Sequence, residues 1–127
     1  MSPRRVGITR TRVALLSSDL TRRENLDLVV DTGSVFTWVP KDVALRLGHR
    51  PLIMWRIRTI EGRLIERPVC DAPVEVEGLQ CITRIVFAEP GDVHVLGVTA
   101  LETLGLVVDP YANSLRREDA TLALTAR

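Results

Sequence analysis

The sequence has few aromatic residues, few cysteines and histidines, and no long apolar run. Aromatic side chains make up 4% of the 127 residues, too few for a surface on which nucleic-acid bases stack. The two cysteines cannot form a disulfide framework, and the two histidines lie far apart without the spacing of a metal-binding motif. No segment reaches the roughly 18 consecutive apolar residues of a membrane-spanning helix. We therefore expect no bound metal and no membrane span.

The charges of the chain are balanced, with 17 Lys and Arg, 16 Asp and Glu, and a net charge of +1. A chain without a strong overall field does not attract nucleic acid or an anionic membrane, so we expect neither as a partner. The arginine-rich residues 1–25 are expected to form an N-terminal arm or an outer strand with a solvated face. Their apolar run Val13–Leu16 is too short for a secretory signal, and we expect a cytoplasmic protein.

Short apolar runs separated by turn residues dominate residues 26–127. This pattern predicts a single, mostly β, barrel-like domain with one or two short helices. The predicted strands include Leu26–Val30, Val35–Val39, Val93–Leu96, Leu106–Val108 and a terminal Thr121–Thr125, with a turn at Asp109–Asn113. Helices are predicted at Lys41–Leu47 and Thr99–Leu104. Pro40 suits the start of the first helix and Gly105 the end of the second.

Two hairpins are predicted from glycines that separate β-like runs. They are Ile53–Ile60 with Leu64–Val69, turning at Glu61-Gly62, and Val69–Val76 with Leu79–Ala88, turning at Glu77-Gly78. A two-residue turn in the second hairpin would place Cys81 opposite Val74. Cys70 would then lie opposite Ile85, so the two thiols would not meet in a disulfide.

One polar motif, Asp31-Thr32-Gly33-Ser34, directly follows the apolar run Leu26–Val30. An Asp-Thr-Gly triplet arises by chance in about one chain in fifty of this length at average residue usage, so its context decides its meaning. A polar turn at the end of a strand is the simplest interpretation. A phosphate-binding loop of the actin and sugar-kinase type is another, but the further nucleotide motifs of those larger proteins are absent. A serine hydrolase based on Ser34 would lack its Gly-x-Ser-x-Gly elbow.

Further segments in a fixed order give the motif its context. They are Trp38-Val39-Pro40, Glu89-Pro90-Gly91, Val95-Leu96-Gly97 and the run from Ala100 to Pro110. Together with the Asp-Thr-Gly motif, they resemble the single-domain retropepsin-like aspartic proteases of bacteria, which are relatives of the retroviral proteases. The resemblance covers residues 26–125. It implies a retropepsin-like closed β-barrel with a flap hairpin, and an aspartic endopeptidase that needs no cofactor.

The resemblance assigns catalytic roles to Asp31, Thr32, Gly33 and Ser34. Asp31 would act with a second carboxyl group: the ionised one takes a proton from water, and the protonated one polarises the peptide carbonyl. Two carboxylates about 3 Å apart cannot both ionise, so they share one proton. Thr32 would hydrogen-bond across the two loops, and Gly33 would allow close backbone approach. Ser34 would hydrogen-bond the outer oxygen of Asp31.

A chain of 127 residues with one Asp-Thr-Gly triplet contains half of such a site. The second Asp31 must come from another copy across a two-fold axis, so we expect an obligatory homodimer that acts on a polypeptide. The tip of the first hairpin would be the flap that covers an extended peptide. The expected substrate-binding residues are Ile60, Glu61, Gly62 and Arg63 in the flap, with Val95 and Val98 as pocket walls.

The chain departs from the viral enzymes in two places. Their flaps are rich in glycine, whereas this one has Gly62 alone beside charged residues. They also pair an acidic residue just after the catalytic loop with an arginine after the second glycine motif. Here Val35 or Phe36 and Val98 stand at those positions, so both partners are replaced and other contacts must hold this junction. A non-proteolytic peptide-binding or scaffold module on the same fold is the alternative function.

Overall fold

The computed structural model describes residues 8–118, and in that range the protein is mostly β, as the sequence predicts. Its strands are β1 Arg10–Leu16, β2 Arg23–Val30, β3 Thr37–Pro40, β4 Ile53–Arg58, β5 Leu64–Val76, β6 Leu79–Ala88, β7 Val95–Leu96, β8 Leu106–Asp109 and β9 Ser114–Arg117. Its helices are α1 Lys41–Arg46 and α2 Val98–Leu104. The predicted strand Thr121–Thr125 lies outside the described residues.

Six of these strands form a ring. Their order is β1-β2-β7-β3-β6-β5, and β5 pairs back with β1 at Ala14 and Leu15. β4 lies outside the ring, paired with β5, and β8 and β9 form a separate antiparallel ribbon. The β2–β7 and β3–β6 pairs are parallel. Because parallel strands end on the same side, the residues that follow β2 and β7 are brought together.

The ring surrounds one apolar core, because alternate side chains of its strands point inward. Val13 and Leu15 of β1 and Phe87 of β6 are among the most buried side chains. Both helices pack on this core through Ala44 of α1 and Leu101 of α2. Burying a side chain of the size of Leu or Phe stabilises the fold by about 1.5–3 kcal/mol.

The arginine-rich N-terminal region contributes a strand to the ring. Residues 10–16 form β1, which pairs with β2 along its whole length. Arg10 and Arg12 are exposed, whereas the four residues Val13–Leu16 are buried. The arginines therefore occupy the solvent side of a strand whose apolar end belongs to the core.

The β5–β6 hairpin confirms the register predicted from its glycine turn. Cys81 lies opposite Val74 and Cys70 opposite Ile85, and both cysteines are free thiols. Burial raises the pKa of the Cys70 thiol to about 11 and also raises that of Cys81. Neither thiol is therefore a reactive thiolate at neutral pH.

Both helices lie within one residue of their predicted ends. α1 directly follows Pro40, and α2 ends at Gly105, whose φ of 70° is left-handed. A left-handed residue at this position favours glycine, since it has no Cβ to clash. Within residues 8–118, no helix is long and apolar enough to cross a membrane.

One described strand, β9, is absent from the sequence prediction. It pairs with β8 across the Asp109–Asn113 turn, but its residues are exposed or half-buried. Without an inward-facing apolar residue at every second position, the pattern gives no strand signal.

The burial of β1 can be tested by truncating its central side chain. Leu15→Ala should lower the free energy of unfolding by about 2–5 kcal/mol, because the completely buried side chain would leave a cavity. Leu52→Ala, at a side chain that is 65% exposed, is the matched control and should change stability by less than about 0.5 kcal/mol. Urea unfolding followed by circular dichroism measures both. Equal losses in the two variants would contradict the position of β1 in the core.

Candidate active site

The parallel pairing of β2 with β7 brings the two sequence motifs to the same end of the ring. The last two residues of β2 lie beside Val95 and Leu96. Directly after β2, the N–H of Asp31 donates to the carbonyl of Leu96 (3.0 Å). Since Leu96 is completely buried, the loop that carries Asp31 begins at a fixed point.

The carboxylate of Asp31 is held from within its own loop. The N–H of Gly33 donates to Asp31 Oδ1 (2.9 Å), and the N–H of Ser34 donates to the Asp31 carbonyl (3.1 Å). A Cβ at position 33 would lie 3.3 Å from Oδ1, so glycine favours this close contact. Asp31, Thr32 and Gly33 are exposed. The loop therefore presents an oriented carboxylate to solvent.

Ser34 differs from the role that the resemblance assigns to it. Its hydroxyl donates to the carbonyl of Phe36 (2.9 Å), whereas the bond to the Asp31 carboxylate comes from the Gly33 N–H. A hydroxyl has one proton to donate, and the carbonyl two residues ahead is within its reach. In this chain, the Ser34 hydroxyl stabilises the backbone turn that follows Asp31.

The second motif packs directly against this loop. The N–H of Val98 donates to the Ser34 carbonyl (2.8 Å), and that of Thr99 donates to the Val35 carbonyl (3.1 Å). The N–H of Gly97 donates to Oγ1 of the buried Thr37 (3.0 Å). These bonds join the start of α2 to the residues that follow Asp31.

Gly97 makes the closest approach in this junction. An added Cβ would lie 2.3 Å from the Phe36 carbonyl oxygen and 2.9 Å from that of Ser34. Its φ of −90° suits any residue, so glycine is required here by space alone. A side chain at this position would force the backbone of the Asp31 loop away from α2.

The predicted flap residues lie at the tip of the β4–β5 hairpin, which is wider than a two-residue turn. β4 ends at Arg58 and β5 begins at Leu64. Ile60, Glu61, Gly62 and Arg63 are all exposed. The N–H of Gly62 donates to the Thr59 carbonyl (2.9 Å), and Gly62 has a φ of 90°. Glycine at the turn thus takes the positive φ that the sequence predicts.

The base of this hairpin contacts the candidate catalytic loop through a cluster that the sequence analysis missed. We call Phe36, Trp55, Asp71 and Arg84 the Arg84 cluster. The rings of Trp55 on β4 and Phe36 meet edge to face, with centroids 5.4 Å apart and planes at 88°. The Arg84 guanidinium carbon lies 5.4 Å from the Trp55 centroid and 6.0 Å from that of Phe36. Nε of Arg84 donates to Asp71 Oδ1 (2.8 Å).

Part of this cluster could have been found from the sequence. The two-residue turn that places Cys81 opposite Val74 also places Asp71 opposite Arg84. Opposite charges at directly opposed positions form a cross-strand pair. The contact of Arg84 with Trp55 and Phe36 has no such local signal, because it joins three separate segments.

The two predicted pocket walls differ in how much surface they offer. Val95 is 4% exposed, since it lies between Val29 and Trp38 in the sheet. Val98 is half-buried at the start of α2. Of the two, Val98 has the larger exposed surface.

A second ion pair connects β5 to the loop that precedes β7. Arg67 Nε and Nη2 donate to Asp92 Oδ2 and Oδ1 (2.7 and 3.0 Å), and the side chains are 19% and 16% exposed. The Glu89 N–H also donates to Asp92 (2.8 Å). The Arg67 guanidinium, followed by this N–H, holds the pKa of Asp92 below its usual value. The same contact raises the pKa of Arg67.

Other chemistries find little support in the described residues. His49 is buried, and its Nε2 lies 2.7 Å from the Leu16 carbonyl. The Ser34 hydroxyl is bonded to a backbone carbonyl, so neither group has the partner of a serine hydrolase. Between residues 8 and 118, no group of three or more His, Cys, Asp or Glu side chains is arranged to hold a metal ion.

Neither a protein-family model nor a curated protein matches the chain. The interpretation of the site therefore depends on its own geometry and on the resemblance carried by its motifs.

The tight contact at Gly97 predicts a strong effect of a single methyl group. Gly97→Ala should lower the free energy of unfolding by about 1–3 kcal/mol or more, because the Cβ meets backbone that cannot rotate away. Gly33→Ala is the control, since its Cβ would meet the end of the exposed Asp31 side chain at 3.3 Å and no backbone atom. Urea unfolding should give a clearly smaller loss for Gly33→Ala. A Gly97→Ala protein of unchanged stability would contradict the geometry of this junction.

The Arg67–Asp92 pair predicts a stability that falls in acid. The folded pKa of Asp92 is lowered, so its contribution is present above the unfolded pKa of about 3.9 and is lost as pH falls through the folded pKa. Asp92→Asn should destabilise the protein by about 1–2 kcal/mol at neutral pH, and by less in acid. Asp42→Asn, in the exposed Arg46 pair, is the control. Urea unfolding at both pH values measures the difference, and a pH-independent loss would contradict it.

Proposed function

We propose that the protein is a homodimeric aspartic endopeptidase with a retropepsin-like barrel. The observation that carries this proposal is the carboxylate of the exposed residue Asp31, which Gly33 orients and which stands on a loop whose next residues are fixed against Gly97. Its support is that the two motifs on which the resemblance is based lie in direct contact through backbone hydrogen bonds. The ring of strands and the outlying hairpin are consistent with the proposed fold.

Each protomer supplies one Asp31 to the reaction. The ionised carboxylate accepts a proton from a water molecule as its oxygen attacks the scissile carbonyl carbon, and the protonated carboxyl donates a hydrogen bond to the carbonyl oxygen. The carboxyl that accepted the water proton then gives it to the leaving amine as the C–N bond breaks, which restores the singly protonated pair. Gly33 keeps the carboxylate oriented through its N–H, so little reorganisation is needed during the reaction.

The exposed loop fits an interface with a second copy of the chain. Asp31 and Thr32 are both exposed, and a two-fold axis at this surface would bring each residue close to its own copy. The Thr32 hydroxyls would then hydrogen-bond across the axis. The substrate is an extended polypeptide, bound between this loop and the exposed hairpin tip Ile60–Arg63.

The proposal includes a cytoplasmic location. Cys70 and Cys81 are free and lie opposite other residues of the hairpin. Unpaired thiols of this kind fit a reducing compartment.

Replacing the proposed nucleophile-activating carboxylate is the direct test. Asp31→Asn should abolish cleavage of a denatured protein or peptide library, because the amide cannot accept the proton of water. Its thermal unfolding should stay close to that of the unchanged protein, since Asn keeps an Oδ1 that can accept the Gly33 N–H. Cleavage that persists in Asp31→Asn would contradict the proposal. A folded protein without any peptidase activity would favour the non-proteolytic binding module.

The dimer and the shared proton give two further signatures. Activity per protein should fall on dilution below the dimer dissociation constant, because a monomer has half the site. Activity should be greatest at mildly acidic pH, where a singly protonated carboxyl pair is populated. Sedimentation and peptide cleavage across a pH series measure both. An active monomer, or a flat profile from about pH 4 to about pH 9, would contradict the mechanism.

A further inference from the structure

The β4–β5 hairpin has few fixed points on the rest of the protein. Within residues 8–118, β4 pairs with β5 alone, so one edge of the hairpin has no neighbouring strand. Several apolar side chains of β4, such as Ile53 and Met54, are largely exposed. The position of the hairpin relative to the Asp31 loop therefore depends on individual side-chain contacts.

One of these contacts is made with the loop itself. Trp55 projects from β4 and meets the ring of Phe36, two residues beyond Ser34. The carbonyl of Phe36 is held by two contacts: it accepts the Ser34 hydroxyl, and it lies so close to Gly97 that a side chain there has no room. The position of Phe36 is thus fixed, and Trp55 is the hairpin residue that contacts its ring.

Arg84 contacts both rings from the neighbouring strand β6. Its guanidinium carbon lies 5.4 Å from the Trp55 centroid and 6.0 Å from the Phe36 centroid. Two bonds to the Asp71 carboxylate, at 2.8 and 3.4 Å, fix its plane. A planar cation held in this way is attracted to aromatic rings, and a lysine could not make the same forked and stacked contacts.

We infer that Arg84, anchored by Asp71, is a positioning residue that holds Trp55 against Phe36 and so sets the position of the hairpin over the Asp31 loop. This inference rests on the proposed function, in which the hairpin covers the peptide. Arg84 does not take part in the chemistry. It acts through Trp55, and loosening it would change substrate binding and turnover together, as expected when a covering segment is poorly placed.

The inference is tested by Arg84→Lys, with Arg56→Lys as the matched control. Arg56 lies on β4 next to Trp55 and points to the opposite face of the hairpin. Trp55→Leu removes the aromatic contact from the hairpin side, and Trp55→Phe retains a ring. The Trp55 variants also keep the test valid should Arg84→Lys fold poorly, because β4 is an edge strand outside the ring.

Hydrogen exchange gives a readout that needs no enzymatic activity. In Arg84→Lys and Trp55→Leu, the amides of residues 53–58 should exchange about threefold faster or more. The amides of β1 should be unchanged, and Arg56→Lys should match the unchanged protein throughout. Residues 53–58 that exchange at the original rate in both Arg84→Lys and Trp55→Leu would overturn the inference, whatever the protein cleaves.

Steady-state cleavage separates positioning from a purely structural role. Arg84→Lys and Trp55→Leu should raise KM and lower kcat, with kcat/KM falling about fivefold or more, and Trp55→Phe should restore most of the loss. Faster exchange with unchanged kcat and KM would overturn the positioning role and leave the protease assignment standing. An unchanged protein that cleaves no peptide would overturn the proposed function, and the kinetic part of this inference with it.

Discussion

The contact between Gly97 and the Phe36 carbonyl is the constraint on which the candidate site depends. A Cβ added at Gly97, the residue after β7, would lie only 2.3 Å from the Phe36 carbonyl oxygen, so the two backbones can approach this closely only at a glycine. The bonds from Val98 and Thr99 to this loop form only at that separation. The same contact fixes the position of Phe36, whose ring contacts that of Trp55. Gly97, which has no side chain, therefore determines the position of the Asp31 loop and of the Phe36 ring that the hairpin contacts.

Much of the β-structure could be predicted because it is encoded in local patterns. The Glu77-Gly78 turn determines the register of β5 with β6, and the register determines every cross-strand pair between them. β1 was harder to assign, since Arg10 and Arg12 cover its solvent face and only its second half is wholly apolar. β9 has no inward-facing apolar series. Its pairing with β8 follows from the predicted turn at Asp109–Asn113, but its own residues carry no alternating pattern that predicts a strand.

The sequence motif of the candidate site could be predicted, but the contacts of its side chains could not. Asp31-Thr32-Gly33-Ser34 can be identified from its sequence, and its position at the end of a strand follows from the apolar run before it. The partner of the Ser34 hydroxyl could not be identified, because two acceptors lie within its reach and the fold of the loop selects Phe36. The Arg84 cluster joins Phe36, the residue before β3, to β4, β5 and β6, and no sequence period connects those segments.

The departures from the viral enzymes have a physical counterpart in this chain. The viral enzymes have an ion pair between a residue just after the catalytic loop and one after the second glycine motif, and both charged residues are replaced in this chain. Here the junction is joined by backbone bonds from Val98 and Thr99, which need no particular side chains. Phe36, one of the two residues that follow the loop there, contacts Trp55 and Arg84 through its ring. The ion pair Asp71–Arg84 joins β5 to β6. An ionic contact therefore still supports this region, and Arg84 extends it to the rings of Phe36 and Trp55.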